Sequence, residues 1–523
     1  MKEGSRSIQL AFVRFRSTAN SPGPPLVYLA GGPGGSGISA ARGSRFPLFM
    51  AMREFGDVIA LDQRGTGLSG FEELDCDDRY LIPFDEPVDR RKAGNTIAAA
   101  TRGCVERLRD AGIDLSAYNT RESAADLDAL RRFLGVEKIS LWGISYGTHL
   151  ALSAMKYHGE GIDRVILAGL EGPDDTYKMP QDQQELLEAI ARLAKQDAAV
   201  SRAVPDLLGS IRKLIEGLRE EPRTVTVTNP ESAETVDVRL GAFELQYVLA
   251  SMLGGPDSFA VLPDMIARLE RGDWIPLALA SAQGRMGEGI HGMSLAMDCA
   301  SGASAARVQR IARQAGTTLL ADAINAPYPE VCEGQGIADL GDLFREPVRS
   351  EIPALLISGT LDGRTPVRNG GEVAAGLKNS HHLIIEGAGH SDPLFLSSPK
   401  ILEAMRAFMR DGSVPYERIV LEPVQLVSPR RIAELDDETL SRYVGSYRIA
   451  GGDLRRVIKA GHLLWTQRGG SMPLPIRPVS KTEFFYEGQA SRLTFQFDSE
   501  GEVNGMVMYA GGAEEGEPAE RIR

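Results

Sequence analysis

Gly143-Ile144-Ser145-Tyr146-Gly147 sets a serine between two glycines, directly after the apolar run Ile139-Ser140-Leu141-Trp142 and before a helical pattern over 148–157. A serine on a tight strand-to-helix turn is held with its Oγ thrust out above the sheet. Side chains in place of the flanking glycines would strike the adjoining strand or helix. The chemistry open to such a serine is nucleophilic attack on a carbonyl. G-x-S-x-G alone arises by chance in a chain with 57 glycines; the strand before it and the helix after it supply the context that chance matches lack.

A serine hydroxyl needs a base to take its proton and an acid to orient that base. On an elbow of this kind the chain order is Ser, then Asp or Glu, then His. The sequence holds seven histidines. His149 and His158 lie on the helix after the serine, and His291 falls in a helical insertion. His381 and His382 open a predicted strand, and His462 sits in a separate C-terminal region. His390 remains, at the end of a strand that runs into the glycine-rich loop Gly387-Ala388-Gly389. The acid is Asp362, which follows the buried parallel strand read in Ala354-Leu355-Leu356-Ile357; catalytic groups of open α/β sheets gather at the carboxyl ends of strands. Asp392 reads as a solvated loop acid.

The developing oxyanion needs backbone N–H donors at close range. Gly31-Gly32-Pro33-Gly34-Gly35 follows a short apolar strand, and because Pro33 has no N–H the donor is Gly32 or Gly34. The second donor is the N–H of Tyr146, the residue after the nucleophile. A phosphate-cradling loop is excluded, since neither Lys-Ser/Thr nor an acidic residue at the right distance follows the glycines.

Around these groups the chain alternates strands and helices over 1–172 and again over 352–410, which means a parallel sheet with right-handed crossovers. A long, mostly helical insertion lies between. Within it Glu171, Asp174 and Asp175 stand just past a strand end, where an acid would meet a substrate ammonium; solvated loop acids are the simpler reading of each. After a charged connection over 410–438 come short strands with Gly-rich turns. Leu493, Phe495 and Phe497 alternate with polar residues there, the pattern of a small antiparallel β-domain.

Gly31-Gly32-Pro33-Gly34-Gly35, Asp62-Gln63-Arg64-Gly65-Thr66-Gly67-Leu68-Ser69 and Gly143-Ile144-Ser145-Tyr146-Gly147-Thr148 together resemble the proline iminopeptidase and tripeptidyl aminopeptidase group of α/β-hydrolases. Tyr118-Asn119-Thr120 and Asp126-Leu127-Asp128-Ala129-Leu130-Arg131 are similar to the tripeptidyl branch. The resemblance implies Ser145 as nucleophile, Asp362 as acid, His390 as base, and Gly32 with Tyr146 as oxyanion donors, with no cofactor and no metal. The pattern along the chain divides it into an α/β-hydrolase core in two parts (1–173 and 349–412), a mainly helical cap over 174–348, and a small antiparallel β-domain over 436–523. Ala30 stands where many iminopeptidases have a histidine, a departure that weakens a prolyl specificity.

The formal net charge of −13 argues against nucleic acid and anionic membranes as partners, and no apolar run approaches the roughly 18 residues that span a bilayer. Cys76, Cys104, Cys299 and Cys332 allow three pairings, of which the two local ones are the simplest; four buried thiols in a cytosolic enzyme are the alternative. Residues 1–6 are polar, without the apolar stretch of a signal peptide, while the family resemblance implies an exported enzyme. The function expected is a serine hydrolase acting through an acyl-enzyme on a small peptide or ester. Its leading form is an aminopeptidase releasing short N-terminal units, with a carboxylesterase second. A catalytically dead binding protein is disfavoured by the intact Ser145, Asp362 and His390.

Overall fold

The computed structural model describes residues 7–522; the polar segment 1–6 lies outside them. Eight strands form the main sheet: β1 (Phe12–Phe15), β2 (Leu26–Leu29), β3 (Val58–Leu61), β4 (Ile139–Ser145), β5 (Ile162–Leu170), β6 (Ala354–Gly359), β7 (Ser380–Glu386) and β8 (Arg418–Val420). Their spatial order is β1-β3-β2-β4-β5-β6-β7-β8. Every neighbouring pair is parallel except β1, which runs antiparallel to β3 at the edge. β2, β3 and β6 are buried along their whole length, as expected of strands covered by helices on both faces. The edge strand β1 begins only at Phe12. Just before it, the Ala11 carbonyl still accepts from Asp62 N at 3.0 Å while its N–H donates to Ser69 Oγ. The core also runs past 412, because β8 adds an eighth strand alongside β7.

Three helices flank the catalytic strands: α1 (Arg90–Asp110), α2 (Thr120–Phe133) and α3 (Tyr146–His158). Asn119 caps α2, its side chain accepting from Glu122 N at 2.9 Å, which is the work of the Tyr118-Asn119-Thr120 segment. Leu127 and Leu130 face the core, whereas Phe133 is 77% exposed and meets Phe12 edge-on.

The insertion is divided rather than being one cap over 174–348. Its first part, including α4 (Ala242–Met252), α5 (Leu262–Glu270) and α6 (Ile275–Arg285), packs around its own apolar core. Its later part, α7 (Gly292–Ser301), sends Met293, Leu295 and Met297 into the core of the sheet domain. Two disulfides, Cys76–Cys104 and Cys299–Cys332, join the local pairs, and the second ties α7 to the segment after it.

The C-terminal strands β9 (Gly445–Ile449), β10 (Leu454–Ala460), β11 (Leu463–Arg468), β12 (Leu474–Pro478), β13 (Glu483–Tyr486), β14 (Arg492–Phe497), β15 (Val503–Tyr509) and β16 (Glu517–Ile522) close into an antiparallel barrel. Closure removes the unpaired edges an open sheet would leave. The interior holds Tyr447, Phe484, Phe495 and Met506. The charged connection before the barrel is not a free linker. Arg430 pairs with Asp264 of α5 at 2.6 Å and lies over the Phe485 ring at 3.7 Å, while Arg268 of α5 reaches Glu487 of the barrel at 2.5 Å.

Candidate active site

Ser145 ends β4 and has φ 54° and ψ −127°, a conformation that non-glycine residues adopt rarely and at a cost. The turn closes this tightly because Gly143 and Gly147, two residues to either side, carry no Cβ. A Cβ on Gly143 would come within 2.6 Å of the Gly147 carbonyl oxygen, and one on Gly147 would collide with the Leu29 carbonyl. The first glycine loop closes in from the other side, where a Cβ on Gly31 would lie 2.9 Å from the Ser145 Cβ. Gly32, with φ +123°, turns that loop over the serine. Tyr146 opens α3, so its N–H is among the helix donors without an intrahelical acceptor.

The Asp-Gln-Arg-Gly-Thr-Gly segment holds this loop. Asp62 accepts from Ser36 Oγ at 2.6 Å, Ile38 N at 3.0 Å and Leu68 N at 2.9 Å. Gln63 Nε2 donates to the Ala30 carbonyl at 2.9 Å. Arg64 is fixed to Asp126 of α2 through two hydrogen bonds of 2.7 Å. These residues fasten the glycine loop to the sheet without entering the cavity.

Asp362 and His390 are brought together. His390 Nδ1 lies 2.8 Å from Asp362 Oδ2, so the carboxylate assigns the proton to Nδ1 and leaves Nε2 a lone pair. Asp362 is held in turn: Oδ1 accepts from Arg364 N and Thr365 N, both at 2.8 Å, and Oδ2 accepts from Thr365 Oγ1 at 2.7 Å. Thr365 Oγ1 is also 3.1 Å from His390 Nδ1. The Asp362 side chain is fully buried and that of His390 is 16% exposed. The backbone N–H of His390 donates to Gly254 of the cap at 2.9 Å.

Three of the other histidines have structural partners. His149 is buried between the Gly172 carbonyl at 3.0 Å and Ser301 Oγ at 3.2 Å, and burial lowers its pKa. His382 lies 2.9 Å from Ser358 Oγ, and His291 stacks on Phe71. Asp392 is partnered rather than freely solvated: it receives Arg45 at 2.7 Å, with its own side chain 44% exposed.

Ser145, Gly32 and Thr365 line a cavity of about 280 Å³ whose far wall is polar: Glu171, Lys178, Asp298 and Tyr328. Asp174 and Asp175 are committed elsewhere, Asp174 capping Ser304 at 2.7 and 2.6 Å and Asp175 pairing with Arg307 at 2.7 Å. Glu171 stays in the cavity wall but already holds Lys178 Nζ at 2.6 Å. The residue the sequence reading missed is Asp298, on α7. Burial, and then the neighbouring charge of Glu171, push its carboxyl up to about 7 despite a 2.9 Å hydrogen bond from Tyr328. No local motif marks it; only the packing of α7 against the sheet domain brings it here.

Two family models match this chain, "alpha/beta hydrolase fold" over residues 24–248 and "TAP-like protein" over 321–420. The tripeptidyl aminopeptidase of Streptomyces coelicolor is 29% identical over 182 residues, a third of each chain. The match therefore spans only a third of that relative's length. The serine protease Hip1 of Mycobacterium tuberculosis is 26% identical over 446 residues, 78% of this chain and 82% of that one. A probable proline iminopeptidase of Streptomyces coelicolor is 28% identical over 158 residues, 30% of this chain and 36% of that one. The chain thus has the α/β-hydrolase fold and is similar to the tripeptidyl aminopeptidases, to the serine protease Hip1 and to the proline iminopeptidases.

Proposed function

We propose that this enzyme is an aminopeptidase that releases short N-terminal units from peptides through an acyl-enzyme. Ser145 attacks the scissile carbonyl while His390 Nε2 takes its proton, and Asp362 holds the imidazole and stabilises it as it becomes charged. The backbone N–H groups of Gly32 and Tyr146 receive the oxyanion. His390 then protonates the leaving amine, and water releases the acyl unit by the same steps in reverse.

The observation that carries the peptidase reading is the under-compensated acid in the cavity wall. Glu171 and Asp298 face the space lined by Ser145, and Lys178 is paired to Glu171. Asp298 is left with a carboxyl that resists ionisation. Lys178 and Arg364 also stand in the lining, and a substrate α-ammonium set directly against Asp298 favours its ionised form. The ammonium site we assign is therefore Glu171 together with Asp298.

Paired substrates test this. N-acetylation of an aminoacyl or tripeptidyl anilide removes the charge and its hydrogen bonds. Loss of a buried charged pair costs roughly 2–5 kcal/mol, a fall of about thirtyfold to several thousandfold in kcat/KM. Equal rates for free and acetylated forms reject the aminopeptidase and favour an esterase.

A further inference from the structure

Behind Tyr247 of α4 lies a second chamber of about 90 Å³. Tyr247 and Ala326 belong to the walls of both this chamber and the catalytic cavity. Tyr247 is 43% exposed although it stands among the cap helices, so its ring forms a partition between two spaces rather than filling either.

Most polar groups around the chamber are engaged, although the buried Arg90 Nε has no hydrogen-bond partner among the described residues. Glu244 Oε1 accepts from Val88 N at 2.8 Å and from Arg285 at 2.6 Å, and Oε2 accepts from Gly241 N at 3.0 Å. The Arg90 guanidinium donates to Glu330 and to the Tyr328 carbonyl, both at 2.6 Å. Hydrocarbon from Ile97, Phe243 and Val248 faces inward. An unfilled apolar void destabilises a fold in proportion to its volume, yet α6 borders this one with Ala280 and Gly284. A Cβ at Gly284 would meet nothing within 4 Å. The helix has room for larger residues and carries small ones.

We propose that the chamber behind Tyr247 is a side-chain subsite of the active site, taking a branched aliphatic side chain of Val-to-Leu size from the N-terminal unit of a peptide substrate. The inference rests on the aminopeptidase reading. A cavity of roughly 150 Å³ admits benzene, so about 90 Å³ suits an aliphatic group and excludes an aromatic one. Neither Ser145 nor Gly32 lines the chamber, so the side chain it takes belongs to a residue upstream of the one acylated.

The test is a set of free-amine tripeptidyl 4-nitroanilides with Gly, Ala, Val, Leu or Phe at the first or second position and alanine elsewhere. Filling an apolar pocket by a methylene or more is worth about tenfold or above in kcat/KM. Val or Leu at one upstream position is expected to exceed Gly by that factor, with Phe falling back. Gly284→Leu and Ala280→Leu should each cut the Leu-to-Gly ratio to about twofold or less. Tyr247→Ala, which removes the partition, should shift the preference toward Phe. A flat profile at both upstream positions in an enzyme that cleaves the anilides overturns the subsite alone. So does an unchanged Leu-to-Gly ratio in both filled variants. Failure of the wild-type enzyme to cleave any free-amine anilide overturns the aminopeptidase reading and the subsite with it.

Discussion

The protein buries charge in two places and treats it differently. At the junction of cap and barrel, Arg268, Arg430 and Arg477 meet Asp264, Asp273 and Glu487, three charges of each sign. Burial alone would lower the pKa of Arg268, but the hydrogen bond and charge of Glu487, with Asp273 and Asp264, raise it instead. In the cavity at Ser145, Glu171 and Asp298 stand with Lys178 and Arg364, and burial, then the charge of Glu171, raises the pKa of Asp298. A fully paired buried cluster fastens two bodies together and has nothing left to offer a ligand. A buried carboxyl whose hydrogen bond comes from a tyrosine rather than a cation is poised to receive one. Burial and formal charge alone do not separate the two; the balance of partners does.

The comparison breaks most sharply on the nucleophile. Ser145→Ala should lower kcat by on the order of 10⁶ with an unchanged melting temperature. Near-wild-type turnover would remove the site from this cleft altogether. Asp362→Asn, which keeps the shape but assigns the wrong imidazole tautomer, should cost about 10⁴ in kcat.

At the junction the effect moves from rate to stability. Arg268→Met leaves Glu487 and Asp273 with only the more distant Arg477, at 3.6 and 3.4 Å, and removing one partner of a buried pair costs about 3–5 kcal/mol. The urea midpoint should fall while the turnover of small anilides per folded molecule stays within a few-fold. An unmoved midpoint would mean that the barrel is not held by this cluster.

The smallest expected change sharpens the cavity side. The carboxyl of Asp298 is raised to about 7 in the folded protein, against roughly 3.9 when unfolded. Between those values the native state binds the proton more tightly, so stability falls as pH rises through this window. Asp298→Asn should flatten that part of the melting-temperature profile between about pH 4 and 7. It should also narrow the preference for free over N-acetylated substrates. A profile with the wild-type slope would show that Asp298 does not carry the unbalanced charge.

Much of this was legible in local pattern. The elbow needs Gly143 and Gly147 next to Ser145, and strand ends followed by Asp362 and by Gly389-His390 sit where chemistry gathers in a parallel sheet. These depend on neighbours within a few residues, so the sequence carries them. Elements read less well where outward faces are charged. Strands β10, β12 and β16, with Arg456 and Lys459, Pro475, and Glu517 with Pro518, lack the clean alternation of β14, and only barrel closure accounts for them.

What the sequence determined by itself is therefore the glycine-flanked elbow at Ser145, the placing of Asp362 and His390 after strand ends, and the type of sheet that presents them. Only the tertiary structure decided which acids reach the cavity. Asp174 and Asp175, close to Glu171 in the chain, are consumed by Ser304 and Arg307. Asp298, 153 residues after Ser145 in numbering, arrives through the packing of α7. Backbone strain at an elbow is a property of adjacent residues, whereas the charge balance of a cavity is a sum over segments that meet only when the chain has folded.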